Sequence, residues 1–129
     1  MSPTNSLPAS GSHFISLSRG IEMTALYRSQ REAILATQYQ GMQILPICET
    51  FNRDDIDILL EKEGCAALRV YFGMDESYKV KVLIVAVNQD AEDILPSPQS
   101  LNSLENEEDI VEEGHRCPDS CPPESPLNS

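Results

Sequence analysis

The sequence predicts a small α+β domain: an N-terminal helix, then β-α-β-β, forming a three-stranded, mainly antiparallel sheet with helices packed on it. Three observations predict it. Residues 66–88 contain two β-rich runs joined by the polar turn Gly73-Met-Asp-Glu-Ser-Tyr78. A short helix between Asn52 and Gly64 carries start and stop signals at both ends. A longer helical stripe precedes them, beginning near Leu17.

The hairpin follows from side-chain alternation, since successive strand residues face opposite sides of a sheet. Leu68, Val70 and Phe72 share one face of the first run, and Ala67, Arg69 and Tyr71 share the other. From Val82 to Val87 both faces are apolar, the pattern of an inner strand. Glycine and short polar residues between the runs suit a hairpin loop.

From Leu17 to about Gln38 most residues favour helix, with Met23, Tyr27, Gln30 and Ile34 along one stripe and Leu26 and Ala33 beside it. Ser16 or Ser18 can cap it, because a serine hydroxyl accepts from a free amide of the first turn. Ile44–Phe51 reads as the first strand, and Pro46, lacking an amide hydrogen, places that strand's start or a sheet edge there. In the second helix Asn52 is the expected N-cap, Asp54 and Asp55 complement first-turn amides, and Gly64 ends the segment. Phe51 and Ile56 stand at the positions of a hydrophobic staple. Ile56, Leu59 and Leu60 form the expected buried stripe. A strand–helix–strand run crosses over right-handedly, so the first two strands are expected parallel, with the third between them.

These elements divide the chain into a lead (1–13), a domain (14–95) and an acidic, Pro/Ser-rich tail (96–129) expected to be disordered. The net charge is −12. Residues 1–90 hold 11 acids and 8 bases, whereas residues 91–129 hold 10 acids and one base, so the acidity belongs to the tail. No Lys/Arg cluster offers itself to a phosphate backbone, which disfavours nucleic acid. No apolar run approaches the roughly 20 residues that span a bilayer. The N-terminus lacks a signal's positive start and apolar core, so a cytoplasmic location with reduced thiols is expected. A domain of about 80 residues has little buried area to spare, and a homodimer would add some.

The segments Ile21-Glu-Met-Thr-Ala-Leu-Tyr-Arg28, Glu49-Thr-Phe-Asn-Arg53 and Arg69-Val-Tyr-Phe-Gly-Met-Asp75 together resemble a family of small bacterial proteins without an established activity. The similarity covers about Phe14 to Leu95. It implies a bacterial, single-domain protein and transfers no catalytic or binding residue.

Several chemistries lack their residues. The six glycines form neither a G-x-G-x-x-G nor a G-x-x-x-x-G-K phosphate cradle. Both histidines, His13 and His115, lie outside the expected core, so no nucleophile there has an imidazole base. Asp55 and Asp57 begin like a calcium loop, but Leu59 and Leu60 occupy positions that need a ligand and a glycine.

Three candidates remain. His115, Cys117 and Cys121 fall within seven residues and offer zinc ligands, or a redox pair in Cys117 and Cys121; a loose tail with two free thiols is the plain alternative. Glu49, Arg69 and Tyr71, with Tyr27 and Arg28 on the covering helix, could hold a carboxylate or phosphate; an internal salt bridge is the plain alternative. The acidic run Leu104–Glu113 could engage a protein partner or remain solvated. Cys48 and Cys65 read as small buried residues. The sequence therefore favours a non-enzymatic protein-interaction domain with an acidic tail. The metal- or redox-linked reading and the small-ligand reading stand as alternatives.

Overall fold

A computed structural model describes residues 6, 7, 13–96 and 109–129. Most of the lead and the acidic stretch 97–108 lie outside the described residues. The elements are α1 (Leu17–Gln30), β1 (Cys48–Thr50), α2 (Arg53–Leu60), β2 (Ala67–Met74), β3 (Val80–Val87), β4 (Ile110–Val111) and β5 (His115–Cys117), with a 3-10 turn at Thr37–Tyr39. The class is α+β, with small antiparallel pairings. The chain divides into two compact units: Met1–Ala9, Phe51–Gly73 and Val82–Gly114 in the first, Ser10–Thr50, Met74–Lys81 and His115–Ser129 in the second.

The first unit holds the main apolar core. Leu59, Ile84 and Ala86 are buried, and Phe51, Ile56, Cys65, Val82, Ile94 and Val111 pack against them. Asn52 has the extended backbone of an N-cap, although its side chain makes no capping bond, and Asp54 and Asp55 occupy the first turn. Gly64 takes φ +81°, a left-handed conformation that glycine adopts without Cβ strain. Leu60, expected in the buried stripe, is half exposed, because Leu59 and Ile56 alone face the core.

Strand order in the larger sheet is β2-β3-β4. β3 is central, as its two apolar faces require, and Ile84, Val85, Ala86 and Val87 are all buried. Its second neighbour differs from expectation. β1 does not join this sheet; β4 pairs antiparallel with β3, setting Ile84 opposite Val111 and Val85 opposite Ile110. The expected β-α-β crossover is therefore not formed. In β2 Ala67 and Arg69 are half-buried, whereas Leu68, Val70, Tyr71 and Phe72 stay exposed, Phe72 at 75%.

In the second unit α1 is capped as expected, with the Ser16 hydroxyl accepting from the Arg19 amide at 3.0 Å. It ends at Gln30 rather than near Gln38. A further turn follows, and Ala36 then takes extended geometry (ψ 150°) that breaks the helical run. The apolar stripe is not buried: Met23, Leu26 and Ile34 are exposed. Residues 109–129, expected within a disordered tail, carry β4 and β5. β5 pairs antiparallel with β1, which begins two residues after Pro46.

Candidate functional site

β1 and β5 form a two-stranded sheet with Cys48 opposite Cys117, Glu49 opposite Arg116 and Thr50 opposite His115. A pair of three-residue strands has few ladder bonds of its own, and the Arg116 side chain ties β5 to chain segments outside that ladder. Its side chain is 7% exposed. Nη2 donates to the carbonyls of Gln43 (2.6 Å) and Ile44 (2.8 Å), and Nε donates to that of Val80 (3.3 Å). A planar guanidinium is suited to this because its donors lie in a fixed fork.

Directly after β5 the chain turns back, with the Ser120 amide donating to the Arg116 carbonyl at 2.8 Å. Cys117 and Cys121 approach to a Cα separation of 4.4 Å and form a disulfide. Cys117 is buried at 3% exposure, whereas Cys121 is exposed. The two cysteines line a cavity of about 380 Å³ with Ile47, Pro122, Glu124 and Asn128. The far wall is set by side chain–backbone bonds: Asn128 Oδ1 accepts from the Ser125 amide at 2.9 Å, and Asn128 Nδ2 donates to Pro123 O at 3.1 Å. Arg28, expected as a ligand contact, instead donates to Leu127 O and Ser129 O. The Tyr27 hydroxyl donates to Pro46 O, and burial first of all pushes its pKa up, against the lowering effect of Arg31.

His115, an exposed residue of β5, sits two residues from Cys117. In the disulfide-bonded form both sulfurs are bonded to each other, so neither serves zinc as a thiolate. Among the described residues no group of three or more His, Cys, Asp or Glu is gathered around a point that could hold a metal ion. A disulfide with one exposed cysteine residue, here Cys121, can be attacked by a thiolate.

The other candidate set is divided. Glu49 lies on β1, while Arg69 and Tyr71 lie on β2 of the other sheet. Arg69 Nη1 and the Tyr71 hydroxyl both donate to the Asp93 carboxylate, and Arg69 Nη2 donates to Ala91 O at 3.1 Å. The Asp93 hydrogen bond holds both the Arg69 and Tyr71 pKa values up. This is the internal salt bridge that sequence offered as the plain alternative, closed by Asp93 rather than Glu49. Asp93 arrives through an Asx turn: Asn88 Oδ1 accepts from the amides of Asp90 and Glu92, both at 2.9 Å, folding the chain back on β3. Asn88 directly after the apolar run was the signal for that return.

No family model matches the sequence, and no curated protein or solved structure matches it either. The expected resemblance of the three short segments to small bacterial proteins finds no support in these comparisons.

Proposed function

We propose that this chain is a redox-linked protein whose working couple is Cys117 and Cys121. The observation that carries the reading is the disulfide in the cavity wall, with one sulfur's residue exposed and the other's buried. A dithiol of a protein partner is the chemically matched reactant. Its first thiolate attacks the Cys121 sulfur, the Cys117–Cys121 bond breaks, and Cys117 leaves with the electron pair and takes a proton. The partner's second thiolate then attacks the partner sulfur of the mixed disulfide, releasing Cys121. The partner ends oxidised and this chain reduced by two electrons. In the expected cytoplasmic setting such a couple cycles rather than remaining a permanent staple.

The test equilibrates full-length protein in glutathione buffers from about −300 to −180 mV, followed by alkylation and peptide mass spectrometry. A midpoint within that range for the Cys117–Cys121 bridge is expected. Free thiols at both positions throughout the series would refute the reading.

A second reading, a protein-interaction domain or homodimer, is supported by apolar side chains left exposed on single elements: Leu68, Val70 and Phe72 on β2, and Met23, Leu26 and Ile34 on α1. Among the described residues β2 is also an edge strand, and the outer backbone groups of an edge strand can pair with another chain. The acidic run, of which 104–108 lie outside the described residues, belongs to this reading. Sedimentation velocity across a concentration series tests the homodimer. Mass that grows with concentration and is lost in Phe72→Ser supports it, and a constant monomer removes it.

A further inference from the structure

We propose that Cys48 is a third member of the thiol set, able to take the disulfide from Cys121; this rests on the reading of Cys117 and Cys121 as a working couple. The β1–β5 register sets Cys48 directly opposite Cys117. Opposed residues of an antiparallel pair project to the same face with Cβ atoms about 4.5–5.5 Å apart. A disulfide asks for about 3.5–4.5 Å between Cβ atoms, so an approach of about one ångström suffices. The backbones are held together on the same spot, since the Ile47 amide donates to the Cys117 carbonyl at 2.8 Å. Cys48 is a half-buried free thiol. Cys65, the other free cysteine, differs: its thiol donates to Ala67 O and it packs in the apolar core.

The step balances without an external oxidant. The Cys48 thiol loses its proton to solvent, and its thiolate attacks the Cys117 sulfur. The Cys117–Cys121 bond breaks, and Cys121 leaves with the electron pair and is protonated. Access divides the labour. A partner's thiolate meets the exposed Cys121, whereas the buried Cys117 faces a neighbouring strand's cysteine. Solvent around Cys121 favours it as the leaving thiolate. The product is a cross-strand Cys48–Cys117 bridge and an exposed Cys121 thiol in the cavity wall, ready for covalent attachment to a partner.

The experiment uses oxidised full-length protein held in mildly alkaline buffer without added thiol, then quenched with acid, alkylated in denaturant, digested with trypsin and sequenced unreduced by tandem mass spectrometry. Cys117 and Cys121 share the tryptic peptide 117–129, and Cys48 lies in 32–53, so the two bridges are distinguishable. Wild type is expected to yield the two peptides joined through Cys48 and Cys117, with Cys121 alkylated. That joined product should be lost in Cys48→Ser, which keeps the internal bridge of 117–129. Oxidised Cys121→Ser should carry Cys48–Cys117 outright, providing the same reading if Cys48→Ser fails to fold. An internal bridge alone in wild type, or joining through Cys121 or Cys65, overturns the inference while leaving the couple intact. Failure of the internal bridge to form in folded Cys48→Ser overturns the couple itself.

Discussion

The cost of single atoms separates two glycines. A Cβ added at Gly114 would sit 2.8 Å from two atoms of the Phe51 ring, which cannot bend away; one added at Gly73 would sit 2.7 Å from the end of the Leu83 side chain, which can rotate. Gly114→Ala is therefore expected to destabilise by about 1–3 kcal/mol and Gly73→Ala by less, measured by urea unfolding. Tyr71 provides a pH test. Its phenol is held protonated by the hydrogen bond to Asp93, so its folded pKa lies above the ordinary value of about 10. The stability this contributes is present below about pH 10 and is lost as pH rises through the folded pKa. Unfolding midpoints of wild type should fall with pH in that alkaline range, and Tyr71→Phe should fall less steeply. Tyr27, also raised, leaves a residual slope. At this scale Arg69 and Tyr71 were legible as neighbours on one strand face, from alternation alone. Their acceptor was not, because Asp93 lies over twenty residues away and only the Asn88 turn returns it.

Among the elements, β5 depends most on one side chain. Arg116 bonds three carbonyls, of Gln43, Ile44 and Val80, while its Nη1 is buried without a hydrogen-bond partner among the described residues. Arg116→Met removes those bonds and also the buried charge, so the two effects oppose each other; the lost acceptor pairing should dominate, at about 1–3 kcal/mol. Hydrogen exchange should show faster amides in β1 and β5, with little change in β3. α2 and β3 were readable because their signals are local: a cap, two first-turn acids, a left-handed glycine and an unbroken apolar run. The inward face of α1 was not readable, since periodicity reports that a stripe exists and not whether anything covers it.

The whole molecule uses its final residues structurally. Within the first unit Lys62 pairs with the largely buried Asp109 at 3.0 Å, and β4 completes the sheet beside β3. Within the second, β5 pairs with β1 and Arg28 binds the last turn. Deleting residues 109–129 should therefore abolish cooperative unfolding, followed by circular dichroism in urea. A truncated chain that keeps the full-length transition would refute this dependence. Low apolar content was the reason to expect a free tail; short strands, a buried arginine and a disulfide order such a segment without needing many apolar residues.

By itself the amino-acid sequence determined the α+β class, the inner position of β3, the hairpin before it, both helix starts and the lack of standard nucleotide cradles. Each is written in residues close together in the chain. Only the tertiary structure decided that β1 takes β5 as its neighbour, that Asp93 closes on Arg69, and that Cys48 faces Cys117. Strand partnering is a competition among distant segments, and its outcome depends on what every other segment buries.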